Sequence, residues 1–227
     1  MRATYRQLDY PNVVVSGIAT VCINMSSRGI FLLLTSLVFV QASLNTPYFP
    51  IKFGNCNFPS ISEQLIKDEF FNKKWYVWMS SGNYFFAMQS KCAGTDTRIV
   101  GNDTEFLHFQ YENPLNSFVT LKGNAPGNYL RYKGLVFPVD YSTNRYNFTL
   151  ALSIVETDYD NWAAIYFCKQ LLGSKIELSW LLTTDWKKTP SEEQKNEMSE
   201  AVSRFDYTLD DYFLQDNSRC GIGEPHL

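Results

Sequence analysis

The sequence predicts an all-β domain, an antiparallel barrel or sandwich, followed by a single C-terminal helix. Three observations carry that expectation. From Lys74 to Thr183, short apolar or aromatic runs alternate with turn residues: Gly82-Asn83, Gly94-Thr95-Asp96, Gly101-Asn102-Asp103, Asn113-Pro114, Gly123-Asn124, Pro126-Gly127-Asn128 and Gly173-Ser174. About eight strands at that spacing are the pattern of a sandwich or barrel. Along 148–155, Phe148, Leu150, Leu152 and Ile154 share one face while Thr149, Ala151 and Ser153 share the other, the period of a half-buried strand. After the strands, Thr189-Pro190-Ser191-Glu192 reads as a capping box, with an N-cap, a proline at the first position and a glutamate at the third. Met198, Ala201, Val202 and Phe205 then recur at helical spacing through 191–205. A shorter helix is expected within Ile61–Phe71.

The segment before this domain reads as processed. Residues 25–43, MSSRGIFLLLTSLVFVQAS, place Arg28 before an apolar run from Ile30 to Val40. Val40-Gln41-Ala42 then fits a small-residue cleavage site, so the segment predicts a secretory signal peptide. The run is short for a membrane span, and no stable span is expected. Met25 is an alternative start, with 1–24 as an extended leader. The expected division is therefore 1–42, extension and signal peptide, and 43–227, a single domain. Within that domain the barrel occupies about 74–184, the helix about 190–205 and a tail 206–227. Removing the leader takes Cys22 and leaves Cys56, Cys92, Cys168 and Cys220. An even count in a secreted chain implies two disulfides, with three pairings open. Asn102-Asp103-Thr104 and Asn147-Phe148-Thr149 are glycosylation sequons.

Composition and motifs exclude several function classes. A net charge of −3 without a Lys/Arg cluster argues against a nucleic-acid partner. No CxxC or HxxxH spacing exists, so no metal site or cofactor is expected. His108 and His226 are the chain's two histidines. His108 lies between apolar residues and reads as a strand residue rather than an iron ligand, and neither histidine makes a plausible catalytic base. No Gly-x-Ser-x-Gly is present, and the chain is expected not to be an enzyme.

Four features in order resemble the lipocalin family, closest to the apolipoprotein D, Lazarillo and insect bilin-binding group. Asn72-Lys73-Lys74-Trp75-Tyr76 is similar to the Gly-x-Trp-Tyr of the first barrel strand. Thr157-Asp158-Tyr159-Asp160-Asn161 resembles the Thr-Asp-Tyr turn between the sixth and seventh strands. Trp180-Leu181-Leu182-Thr183-Thr184 resembles the last-strand Trp-x-Leu-x-Arg motif before the C-terminal helix. The cysteines fall at the family's stations. The resemblance covers about 53–221. It implies an eight-stranded antiparallel up-and-down β-barrel, the lipocalin calyx, with one C-terminal α-helix packed outside. It also implies Cys56–Cys168 and Cys92–Cys220 disulfides. Two departures stand out. Lys74 lies close to where the motif has glycine. Thr184 replaces the arginine that makes a cation–π contact on the motif tryptophan at the barrel base, so a modified base, with Trp186 packed there, is expected.

A barrel of that size holds one small ligand. The implied function is a secreted carrier of a small hydrophobic molecule, a fatty acid, sterol, retinoid or bilin, with roles in lipid handling and the response to oxidative stress. The expected lining is Trp75, Val77, Met79, Phe86, Met88, Phe109, Tyr111, Phe118, Leu130, Tyr132, Phe148, Leu150, Trp162 and Ala164. Arg131, Lys133 and Lys91 are candidate cations at the mouth. The second reading is an extracellular interaction module with a filled calyx. Its candidate contact loops are Gly94–Thr104 and Gly123–Gly127, and a cell-surface receptor is the protein partner expected of either reading.

Overall fold

The structure, a computed structural model, describes residues 51–59, 65–82, 90–127, 136–142 and 147–227. The predicted N-terminal extension and signal peptide, with Cys22 in the extension, and the predicted lining residues Phe86, Met88, Leu130 and Tyr132 lie outside the described residues, as do Arg131 and Lys133. In chain order the elements are β1 (Ile51–Phe53), α1 (Lys67–Phe70), β2 (Lys74–Ser81), β3 (Ser90–Val100), β4 (Asp103–Glu112), β5 (Ser117–Ala125), β6 (Val136–Ser142), β7 (Asn147–Thr157), β8 (Trp162–Leu171), β9 (Ser174–Thr183), α2 (Glu192–Ser203) and β10 (Phe213–Leu214). The sheet runs β1-β9-β8-β7-β6-β5-β4-β3-β2-β10, and β2 also pairs with β9. That last pairing closes β2 to β9 into an antiparallel eight-stranded barrel, which removes the open edges a free sheet would carry. The barrel and the outer helix are those the sequence predicts.

Two turn signals fall inside strands. Gly94 sits in β3 and Gly123 in β5. A Cβ at Gly94 would meet the Trp75 carbonyl of β2 at 2.5 Å and the Phe109 ring at 2.6 Å, and one at Gly123 would meet the Tyr141 ring at 2.6 Å. These glycines make room for aromatic rings and, at Gly94, for the close approach of the β2 backbone, rather than reversing the chain. The stretches 94–104 and 123–127 are therefore mostly barrel wall, with a turn only at 101–102 and at 126–127, and not the interaction loops expected.

The C-terminal helix begins two residues later than its sequence signature suggests. Ser191, not Thr189, is the N-cap. Its hydroxyl accepts from Gln194 N at 3.2 Å, and Gln194 Oε1 accepts from Ser191 N at 2.9 Å. Met198, Ala201 and Val202 are fully buried against Val155, Trp162, Ala164, Tyr166 and Leu181 on the outer face of the barrel. The described part of the lead-in forms one helical turn, α1. It places Phe70 and Phe71 under the barrel as a floor.

Both disulfides form as the resemblance implies, Cys56–Cys168 and Cys92–Cys220. The 157–161 turn is held by its own side chains. Asp158 Oδ1 accepts from Asn161 N and Trp162 N, both at 2.8 Å, and Thr157 Oγ1 accepts from Tyr159 N at 2.9 Å while donating to Trp162 O at 2.7 Å. Tyr159 sits at φ +65°, and its hydroxyl accepts from Ile66 N at 3.2 Å. The turn thus ties the lead-in to the closed end.

The closed end solves its missing arginine locally. Lys73 Nζ lies 5.7 Å from the centre of the Trp75 ring and donates to Tyr159 O at 2.8 Å. Thr184 instead donates its hydroxyl to Asp160 O at 2.7 Å and its backbone N–H to Asn161 O at 3.1 Å. Trp186 is not at the base; it packs in an outer aromatic cluster, with Gly221 against its ring. The left-handed residue leading into β2 is Asn72, at φ +62°, a conformation asparagine tolerates better than most residues. Lys73→Met is expected to cost about 1 kcal/mol, the sum of a modest cation–π contact and one hydrogen bond. Thr184→Arg is expected to bring no rise in melting temperature, because the tryptophan is already covered. A clear rise for Thr184→Arg would show that Lys73 does not fill the role.

Candidate functional site

The barrel encloses a cavity of about 450 Å³, within the range of small-molecule pockets. Its walls follow from strand alternation. Trp75 and Val77 of β2, Leu150, Leu152 and Ile154 of β7, Ile165 of β8, and Leu178, Trp180 and Leu182 of β9 all face inward and line it. The floor is aromatic. Phe70 stacks on Trp75 at 5.1 Å, and the Trp75 indole N–H donates to Phe70 O at 3.1 Å. Phe71 meets Phe106 edge-on at 5.7 Å, and Phe106 stacks on Phe137 at 6.1 Å. At the other end the lining runs out along Gln110, Glu112 and Thr120 to Val119, which is exposed.

A few polar groups interrupt this apolar wall. His108 Nε2 and the Tyr141 hydroxyl lie 2.6 Å apart. Burial pushes the His108 pKa down to about 4 and raises that of the Tyr141 phenol above its ordinary range, so both are uncharged at neutral pH. Thr97 gives its hydroxyl to Lys73 O at 2.9 Å. Gln215, from the C-terminal segment, also borders the cavity and donates to Ser90 O at 3.1 Å. Among the described lining residues, Glu112 at the mouth is the one carboxylate and there is no lysine or arginine.

A family model described as Triabin matches residues 53–196, well over half of the chain. The chain belongs to the triabin family of lipocalins. Solved structures agree in fold. Lobster apocrustacyanin A1 superposes with a TM-score of 0.58 at 16% identity over 73% of this chain and 90% of that one. Insecticyanin from the tobacco hornworm Manduca sexta gives 0.61 at 14% identity, covering 73% and 88%. The tryptamine complex of the amine-binding protein of Rhodnius prolixus gives 0.60 at 13%, covering 77% and 91%. No curated protein matches the chain at a significant level. The finer placement beside apolipoprotein D, Lazarillo and the bilin-binding proteins rests on the sequence motifs alone.

In this lipocalin the predicted lining residues divide by strand face. Trp75, Val77 and Leu150 line the cavity. Phe148 packs behind it, stacked on Tyr141 at 5.2 Å. Phe109 borders it, yet its ring lies over Gly94 in the outer cluster. Met79, Tyr111, Phe118, Trp162 and Ala164 are outside. Met79 is displaced by a β-bulge between Val77 and Met79, which turns it beneath the outer helix layer. Trp162 and Ala164 are one residue out of register with the inward Ala163 and Ile165, so they face α2, and the Trp162 indole donates to Glu197 Oε2 at 3.0 Å. Tyr111 and Phe118 form an outer clamp in which Arg219 donates to the Tyr111 hydroxyl at 2.7 Å. Lys91 is not a cation of the mouth; it pairs with Asp216 at 3.8 Å. Sequence reasoning missed Phe106, Phe137, Tyr141 and Trp180 as lining. Alternation from a correct anchor finds them: Phe106 is two before His108, and Phe137 and Tyr141 bracket Val139 on one face of β6.

Proposed function

We propose that this chain is a secreted carrier that holds one small, largely apolar molecule inside its barrel. The observation that carries the reading is the cavity of about 450 Å³, walled by aliphatic and aromatic side chains and reaching solvent at one end. That volume disfavours the alternative of a calyx filled by its own side chains. Fatty acids, sterols, retinoids and bilins are the candidate classes, and a role in extracellular lipid handling follows from any of the first three. Two disulfides support an extracellular setting, as do sequons at Asn102 and Asn147, both exposed. No helix among the described residues is long and apolar enough to cross a membrane. The chain acts by binding and not by catalysis.

Native mass spectrometry of the secreted, deglycosylated protein, followed by solvent extraction, tests the proposal. A discrete small-molecule adduct is expected, and its displacement by an apolar probe should quench Trp75 and Trp180, which line the cavity. Adduct-free protein that also ignores fatty-acid, sterol, retinoid and bilin probes would overturn the carrier reading.

A further inference from the structure

The cavity wall holds a hydroxyl without a partner. Thr95 faces inward from β3, is 8% exposed, and its Oγ1 has no hydrogen-bond partner among the described residues. A buried, unpaired hydroxyl opposes folding, so its presence inside a binding cavity is informative. Thr95 is the cross-strand neighbour of His108, which puts their Cβ atoms about 5 Å apart on one face. The His108–Tyr141 bond therefore begins next to the unpaired hydroxyl. Gly123 on β5 lets this happen. Lying between the two strands, it has no side chain, and the Tyr141 ring occupies the space where its Cβ would stand. Phe106 stacks on His108 at 6.0 Å and Phe148 on Tyr141 at 5.2 Å, so the polar pair is fixed before any ligand arrives.

We propose that Thr95 and the His108–Tyr141 pair form a recognition point for an uncharged ligand that joins an apolar body to one neutral hydrogen-bonding group, a hydroxyl or carbonyl. This rests on the carrier reading and narrows it. A threonine hydroxyl both donates and accepts, and a neutral histidine–tyrosine pair supplies one further donor or acceptor without a net charge. No charged side chain among the described lining residues lies in the interior to match a carboxylate or an ammonium; Glu112 stands at the mouth. Burying an unmatched ion there costs far more than burying an alcohol.

A matched pyrene set tests this: 1-pyrenemethanol, 1-methylpyrene, 1-pyrenecarboxylate and 1-pyrenemethylammonium. Energy transfer from Trp75 and Trp180 reports entry into the barrel. The methanol is expected to bind about 10-fold more tightly than the methyl compound, the scale of a satisfied hydrogen bond, and to be at least as strongly preferred over either ion, which must be buried unmatched. Thr95→Val should shrink the methanol-to-methyl ratio to about 2-fold or less while leaving the melting temperature unchanged or raised, because it removes an unpaired hydroxyl without changing shape. A purely structural threonine would not give that combination. Tyr141→Phe, which keeps the stacked ring, should also reduce the ratio. Binding of all four compounds alike, preference for an ion, or a Thr95→Val ratio equal to that of the wild type would overturn this inference and leave the carrier standing. Binding of none of them, together with an adduct-free protein, would overturn both.

Discussion

Replacing Glu177 by alanine is expected to destabilise the protein by about 3–5 kcal/mol, the range for removing one partner of a buried ion pair. Glu177 points outward from β9 and is 3% exposed. Its carboxylate takes Lys52 at 2.9 Å and Lys175 at 2.6 Å. It also accepts from the Tyr166 hydroxyl and, at 3.1 Å, from the Tyr207 hydroxyl. One side chain thus joins β1, β8, β9 and the segment after α2, and its removal would take this shared acceptor from two ammonium groups and two phenols, leaving Lys52 only the Tyr207 hydroxyl. Burial alone would push this carboxyl upward, but the hydrogen bonds from Lys175, Tyr166 and Lys52, with the charge of Lys52, outweigh it and hold the pKa at about 2. A folded-state value below the ordinary 4.5 means that the stabilisation is complete above about pH 4.5 and fades as pH falls through 2, a loss of about 3 kcal/mol. Urea midpoints measured from pH 6 to pH 2 should therefore fall more steeply for the wild type than for Glu177→Gln. Parallel curves would show that another acid carries the transition.

That cluster was invisible in the sequence, and the reason is general. Lys52, Glu177 and Tyr207 are far apart in the chain, and no local pattern says that their strands and loops converge. What the sequence does display is local. Turn residues and alternation located the strands of the barrel. Met198, Ala201 and Val202 at helical spacing revealed which face of α2 is buried. The cysteine stations, read through the lipocalin resemblance, gave both bridges. The cavity was half legible. Its face assignment held on β7, where alternation is continuous through Phe148, Leu150, Leu152 and Ile154. It failed on β8, where Trp162-Ala163-Ala164-Ile165-Tyr166-Phe167 is apolar on both faces, because one face meets the cavity and the other meets a helix. It failed again at Met79, where a bulge in β2 breaks the period. Glycine misled for a related reason: Gly94 and Gly123 serve ring packing across strands, which sequence alone cannot separate from a turn.

The β2–β3 wall leads to the second large effect. These strands pair at Lys74, Tyr76 and the residue between them, opposite Asp96, Gly94 and the residue between those. Beyond the bulge the C-terminal segment takes over the contacts. Gln215 N donates to Trp78 O at 2.9 Å, Asn217 Nδ2 donates to Val77 O at 2.8 Å, and Arg219 N donates to Lys91 O at 2.9 Å. Phe213 and Leu214 pair with Ser80 and Met79 of β2. Gln215 thereby becomes part of the cavity wall. The Cys92–Cys220 bridge pins this segment across a sequence separation of 128. Cys56–Cys168 closes a similar separation of 112 but ties the lead-in to the outer face of β8. By loop entropy, losing either bridge is expected to cost about 4–5 kcal/mol. Their effects on a bound ligand should differ. The Cys92→Ser/Cys220→Ser variant frees the segment that seals the seam, so an apolar probe should leave the barrel at least several-fold faster than from the wild type. The Cys56→Ser/Cys168→Ser variant, comparably destabilised, should release it at the wild-type rate. Stopped-flow dissociation, measured well below each variant's melting temperature, separates the two. Equal acceleration in both would mean that the ligand escapes by general loosening of the barrel and that the C-terminal segment is not its lateral wall.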